Sequence, residues 1–380
     1  MKLRPFWVNK IEDAWRKKSI VWLSGVRRSG KTTLAKSLAN VDYFDCELPR
    51  TRQALDDPEG FFKQNLKKRI ILDEIHRLGN PSEVLKIAAD HFPDIKILAT
   101  GSSTLGASKK FRDTLTDRKI NIWLLPMGEE DLHTFGEQKL LHRLFRGGLP
   151  PYFLAEHYPE NEFQDWLDSF WAKDIQELFK LEKKYPFQKL FELLHQQSGG
   201  IFEASSFAAP CEISRTTVAN YLSVLEATLT AYVVRPFNTN KAAEIISAPK
   251  VFGFDTGFVV FHKGWESLRR EDYGYLWEHY VLNQLLIHTE KRRIYYWRDK
   301  QKHEVDFVYK PRTKSPIAIE CKWSAKNFIP KNLIAFSKLY PHAKYVVVCN
   351  DCEKSFLRKY NNLEIEFTSL SGLIKVCQTN

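Results

Sequence analysis

An α/β fold class is predicted: a phosphate-loop three-layer parallel sheet, then a helical segment, a winged helix-turn-helix and a second α/β unit. Three observations carry it. Gly25, four residues, then Gly30-Lys31-Thr32 completes a G-x-x-x-x-G-K-[ST] loop between the apolar run Ile20-Val21-Trp22-Leu23 and a helix-compatible segment. Apolar runs alternate with helical patterns across residues 20–125, which predicts strands and crossover helices in one parallel sheet with ligands at its carboxyl edge. Downstream, helix-turn-helix spacing is followed by a further set of strand-like runs.

The loop comes first. Gly25 and Gly30 let the backbone curl so that N–H groups point at phosphate oxygens, and the following helix presents its positive end to the same anion. Arg28, Ser29, Gly30, Lys31, Thr32 and Thr33 form the rest of the cradle, with Lys31 reaching the β- and γ-phosphates and Thr32 holding Mg²⁺. Arg27 and Arg28 stand ready for phosphate or for a neighbouring subunit.

Residues 41–45 read as a second strand, and residues 69–74 as a buried third strand ending in two acids, Asp73 and Glu74. Asp73 is the candidate Mg²⁺ holder and Glu74 the candidate base that polarises water, a pair suited to ATP hydrolysis rather than to a small-molecule kinase. A fourth strand, 95–99, ends in Thr100-Gly101-Ser102-Ser103. Thr100 and Ser102 either sense the γ-phosphate or cap the turn that follows. Arg118, just before the fifth strand at 120–125, takes the place where ring-forming ATPases carry the arginine that reaches a neighbour's nucleotide; Arg112 is the second candidate. A solvated charge on a basic helix is the other reading of Arg118.

These motifs, residues 25–33, 70–78 and 100–103 with Leu124-Leu125-Pro126, resemble prokaryotic AAA-type ATPases that carry a C-terminal domain of long-unknown function. Asp117 stands where that family usually has glycine before its arginine. The resemblance implies an ATPase core over 1–127 and a helical lid over 128–190, broken by Gly147-Gly148-Leu149-Pro150-Pro151 and containing Lys173-Asp174 where the family more often has Arg-Asp.

Residues 191–260 are expected to form a winged helix. Ser214 caps a helix over 215–229 that turns Val218, Tyr221, Leu222 and Leu225 inward and leaves Arg215, Thr216, Thr217 and Asn220 outward near its amino end, where recognition helices touch DNA bases. Such a fold also serves as a spacer or protein contact.

In residues 261–380, Asp306, thirteen residues, then Glu320-x-Lys322 places two carboxylates on adjacent strands with a lysine on the same face. The carboxylates can share Mg²⁺, and the lysine can orient water. The pattern resembles the PD-(D/E)XK restriction-endonuclease-like nucleases, which implies a role for Glu278 as the acid of the first helix and as a metal ligand; Val305 stands where proline is usual. Arg293 and Arg298, among other basic residues and Tyr295, Tyr296 and Trp297, suit a nucleic-acid surface.

With 380 residues, the chain exceeds the roughly 250–300 at which single cores stop growing. A net charge of +11 favours a polyanionic partner. Six cysteines, at 46, 211, 321, 349, 352 and 377, lack the density of a disulfide scaffold, and Cys349-x-x-Cys352 has no second pair to complete a zinc site. No apolar run approaches the roughly 18 residues of a membrane span, and a cytoplasmic location is expected. The expectations converge on an ATP- and Mg²⁺-dependent DNA motor or remodeller, a homo-oligomer such as a hexameric ring on duplex or branched DNA, with nuclease activity at Asp306. The alternative is a nucleotide-dependent switch whose last domain only binds a partner.

Overall fold

The computed structural model describes residues 3–101, 115–136, 140–176, 179, 181, 183–238 and 248–379. Ser102 and Arg112 lie outside the described residues. The chain forms two compact units: Met1–Gln138 with Gly148–Gln188 and Asn220–Thr230, and Lys139–Gly147 with Lys189–Ala219 and Ala231–Asn380.

The first unit is built on five parallel strands, β1 (Ile20–Ser24), β2 (Asp42–Asp45), β3 (Arg69–Asp73), β4 (Lys96–Thr100) and β5 (Lys119–Trp123), in the order β2-β3-β4-β1-β5. β1 is buried at every position, as expected for a parallel strand covered on both faces. Trp22, Phe62, Leu72 and Leu85 fill one side of the sheet. Because all five strands run the same way, Ser24, Asp73 and Thr100 arrive together at one edge, the crevice where α/β sheets bind ligands.

Two features brace that edge. Arg4, preceding the helix Pro5–Lys17, forms a buried pair with Asp131 of the helix Glu129–Phe135 at 2.6 Å, and its Nη1 donates to the Ser29 carbonyl at 3.1 Å. The helix Glu160–Phe170 runs into a π-helical turn, Trp171–Gln176, where an ordinary helix is predicted. The i→i+5 pattern adds a residue to the turn and underwinds it, and such turns are frequent at functional sites.

The second unit holds a nine-stranded sheet. Its strands are β6 (Gly200–Ile201), β7 (Ala231–Pro236), β8 (Lys250–Gly253), β9 (Ile294–Arg298), β10 (Glu304–Tyr309), β11 (Ile317–Lys322), β12 (Lys344–Cys349), β13 (Phe356–Tyr360) and β14 (Leu363–Thr368), in the order β13-β14-β12-β11-β10-β9-β7-β8-β6. β7 and β8 pair as an antiparallel hairpin within the 191–260 segment, but β7 also pairs in parallel with β9 through Arg235↔Tyr295 and Pro236↔Tyr296. The boundary expected at 260/261 therefore falls inside one sheet, and the one at 190/191 inside the helix Lys184–Gln196.

The helices Ala204–Ala208 and Arg215–Ala227 flank a turn in which Glu212 adopts φ 55°. Ser214 Oγ accepts from the Thr217 N–H at 3.1 Å, the N-cap bond that the sequence predicts. Val218, Tyr221, Leu222 and Leu225 are buried, whereas Arg215, Thr216 and Asn220 are exposed and Thr217 is half-buried.

The C-x-x-C pair sits at the end of β12, where the two thiols and the Asp351 carboxylate lie within 4.8 Å of one another. Burial pushes both thiols up. The carboxylate accepts from Ser324 Oγ at 2.5 Å and Ala325 N at 2.9 Å, capping the short helical turn Ala325–Asn327.

Candidate functional sites

The phosphate loop follows β1 directly. A side chain at position 25 would place its Cβ 2.5 Å from the Leu124 carbonyl oxygen, so only glycine lets the loop pass the neighbouring chain. Gly30 caps the next helix, Lys31–Lys36, at φ +91°, a conformation that glycine adopts without strain. Arg28 also takes a positive φ, 64°. Lys31 Nζ donates to the carbonyls of Gly25 and Val26 at 3.0 and 3.1 Å, folding over the loop. Burial lowers the Lys31 pKa despite the opposing charges of Glu74 and Asp174. An anion in the loop would favour the charged lysine against that burial.

Asp73 is the hub of the carboxyl edge. One oxygen accepts from Thr32 Oγ1 at 2.9 Å and from the Tyr43 hydroxyl at 2.6 Å, and the other accepts from Thr100 Oγ1. Thr100 Oγ1 in turn accepts from the Glu74 N–H at 3.1 Å. Thr100 therefore links the two acids.

Glu74 adopts φ 53°, which turns its side chain away from the strand and toward the loop. Its Oε2 lies 3.1 Å from His76 Nδ1. Burial acts to raise the Glu74 carboxyl, but the His76 bond and the charges of Lys31 and Arg27 outweigh it and hold the group below its ordinary value. An ionised carboxylate at this position can accept a proton from water.

A cavity of about 380 Å³ opens over these groups, lined by Gly25, Gly30, Lys31, Thr32, Thr33, Glu74, His76 and Arg77 on the sheet side. Pro150, Pro151, Lys173 and Asp174 line the other side. Arg27 and Arg28 project into it; Arg27 Nε pairs with Asp174 at 3.1 Å and Arg28 Nη1 donates to Tyr152 at 3.1 Å. The Ser29 hydroxyl is buried without a hydrogen-bond partner.

Arg118 lies elsewhere on this unit. It precedes the amino end of β5, opposite the loop edge, and pairs with Asp90 through Nε at 2.7 Å and Nη2 at 3.1 Å. It does not line the cavity of its own chain.

Tyr43 and His76 are site residues that sequence reasoning passed over, whereas Asp174 was named with Lys173 only as part of the lid motif. His76 carried a usable signal, a base two positions after the second acid. Tyr43 and Asp174 reach the site only through tertiary packing.

The second unit brings the acids of its strands together. The β9–β10 register shifts between Val305 and Val308, a bulge that turns Asp306 from the regular alternation, and its Oδ2 accepts from the Cys321 N–H at 2.7 Å. Glu320 is 1% exposed, with Oε2 held by Lys322 at 2.9 Å and Oε1 without a hydrogen-bond partner. Lys322 also lies 4.0 Å from Asp306. Burial and the Asp306 charge raise the Glu320 pKa against the opposing pull of Lys322.

Glu278, on the helix Arg270–His288, is raised by burial and by Asp306, with Lys250 opposing. Lys250 Nζ sits 3.2 Å from Glu278 and 2.5 Å from Glu304, and was not foreseen from sequence. Asp306, Glu320 and Glu278 offer hard oxygen donors of the type a divalent cation takes; Glu320 Oε1 is buried without a geometric hydrogen bond, while Asn332 also bonds this carboxylate. Of the arginines expected on a nucleic-acid surface, Arg293 pairs with Glu290 at 2.9 Å and Arg298 lies 3.6 Å from Glu304.

A five-stranded parallel sheet, a phosphate loop on its first strand and an acid pair on the third define a P-loop ATPase domain, a nucleotide-binding and nucleotide-hydrolysing class. The family comparison agrees: residues 17–132 match the model of an AAA domain. Residues 137–269 and 273–367 match two domains of unknown function, DUF8612 and DUF4143. The uncharacterized protein Rv2008c of Mycobacterium tuberculosis is 25% identical over 334 residues, 85% of this chain and 75% of that protein. A Mycobacterium bovis relative, the uncharacterized protein Mb2031c, matches with the same figures.

Among solved structures, a Walker-type ATPase of Pyrococcus abyssi superposes with a TM-score of 0.43 at 15% identity, covering 68% of this chain and 95% of that one. The Bacillus subtilis DNA clamp loader delta protein superposes with a TM-score of 0.26 at 13% identity, covering 72% and 98%. Scores this low carry no functional argument. No helix among the described residues is long and apolar enough to cross a membrane.

Proposed function

We propose that this chain hydrolyses ATP at the phosphate loop and uses the cycle to move or remodel DNA as a homo-oligomer. The carrying observation is that Lys31, Thr32 and Glu74 line one cavity, with Asp73 bonded to Thr32 behind them and Thr100 joining the two acids. Lys31 leaves the loop carbonyls to pair with the β- and γ-phosphates, and the loop N–H groups hold the remaining oxygens. Thr32 and Asp73 fit Mg²⁺, their oxygens already 2.9 Å apart, and the ion would neutralise charge on the β- and γ-phosphates. Glu74 orients the attacking water and takes its proton. Arg118, outside its own cavity, serves a neighbouring subunit's nucleotide.

DNA as the partner is supported by the net charge of +11 and by the exposed Arg215, Thr216 and Asn220 beside Thr217 at the amino end of a capped helix. We read the second unit as a winged helix fused to a PD-(D/E)XK-like fold, with Asp306, Glu320 and Glu278 as its acids and Lys322 as its lysine. Turnover measured with and without duplex, single-stranded and branched DNA tests the reading. Stimulation by at least one form, with salt-sensitive binding, is expected; no stimulation and no salt-sensitive binding by any of them refutes it.

One observation favours a second reading, a nucleotide-dependent switch whose last domain only binds a partner. Lys250 and Lys322 already neutralise much of the acidic centre. Glu74→Gln separates the readings, since only the DNA reading expects the trapped ATP state to hold DNA more tightly.

A further inference from the structure

The acidic centre of the second unit already contains a cation. Lys250 Nζ lies 3.2 Å from Glu278 Oε1 and 2.5 Å from Glu304 Oε1, with 5% of its side chain exposed and the Tyr296 ring 5.7 Å away. Its backbone is fixed on both sides, because Lys250 pairs with Ile201 of β6 and Val234 of β7. By direct contact the carboxylates fall into two groups, Glu278 and Glu304 on Lys250 and Asp306 and Glu320 on Lys322, while the Asp306 charge acts on Lys250 and Glu278 as well.

The groups differ in what they leave open. Lys322 is 28% exposed along its side chain and bonds Glu320 through Oε2 alone. Lys250 is enclosed and held by two carboxylates, so a divalent cation entering between Glu278 and Glu304 would strand a buried ammonium, a change that is strongly unfavourable.

We propose that Lys250 stands in the place of a second divalent cation, committing Glu278 and Glu304 to an internal ammonium and restricting the centre to one divalent ion at Asp306 and Glu320. The proposal rests on reading Asp306 and Glu320 as metal ligands. It gives Lys250 a specificity role: it sets how many ions the centre takes, and it removes Glu278 from the ligand set that the sequence pattern assigns to it.

Mn²⁺ titration of the nucleotide-free full chain, followed by the EPR signal of the free ion, tests it. Wild type should take up one Asp306-dependent equivalent, lost in Asp306→Asn. Lys250→Met should take up two, and Lys250→Met combined with Glu304→Gln should return to one. Without metal, Lys250→Met should unfold at a lower temperature than wild type, and Mn²⁺ should raise its Tm by more than it raises that of wild type. If the variant is unfolded without metal, Mn²⁺ should restore its fold.

One equivalent in both wild type and Lys250→Met, or two in wild type, overturns the proposal, as does failure of Mn²⁺ to rescue an unfolded variant. Absence of any Asp306-dependent uptake overturns the metal reading itself and the proposal with it.

Discussion

At Gly25 the cavity depends on a single missing methyl. A Cβ there would meet the Leu124 carbonyl at 2.5 Å, a backbone atom that cannot step aside without moving the chain after β5. Gly25→Ala should lower stability by about 1–3 kcal/mol, as overpacking does, and weaken ATP binding, both readable from thermal unfolding with and without nucleotide. Lys31 and Glu74 were legible as residues because their motif is local: the loop and the acid pair each lie within a few positions. Lys250 was not, because its partners Glu278 and Glu304 come from a distant helix and another strand, and nothing in residues 249–252 announces an acid pocket.

At the scale of elements, the second unit buries imidazoles that acid must eventually charge. His195, in the helix Lys184–Gln196, lies with its ring centroid 4.1 Å from that of Phe191, and burial pushes it down to about 4. His279, in the helix Arg270–His288, is pushed down to about 3, again chiefly by burial. Both are depressed below the unfolded value of about 6.5, so their stability contribution is present above that pH and is lost as pH falls toward 4. Denaturant unfolding should show this loss, and His195→Leu should make the dependence shallower.

The elements themselves were largely legible. Apolar runs marked β1, β3 and β4, and the inward set Val218, Tyr221, Leu222 and Leu225 is buried as its spacing predicts. The joining of β7 to β9 was not, because about 60 residues separate the two strands and period-two patterning does not specify a partner. Nor was the π-helical turn at Trp171–Gln176, which brings Asp174 to Arg27 through packing rather than through a local signal.

At the scale of the whole molecule, the proposed oligomer would make ATP hydrolysis depend on neighbouring subunits. Arg118 is held by Asp90 and does not line its own cavity, so its proposed role is in trans. Arg118→Ala should retain ATP binding and lose turnover, whereas Lys31→Ala should lose both. Mixing the two variants should recover part of the activity, because a Lys31→Ala subunit still offers Arg118 to a partner whose loop is intact. Phosphate release from the mixture against each variant alone is the readout, and an Arg118→Ala protein that turns over normally removes this arginine from the mechanism.

The most direct test of the central claim is phosphate release from ATP and Mg²⁺ by the full chain, measured beside ATP binding for wild type, Lys31→Ala and Glu74→Gln. Wild type should turn over steadily, Lys31→Ala should not bind ATP, and Glu74→Gln should bind it with turnover slowed by roughly 10²- to 10⁴-fold, as expected for the loss of a general base. Turnover in Glu74→Gln equal to wild type, or ATP binding that survives Lys31→Ala unchanged, would contradict the claim.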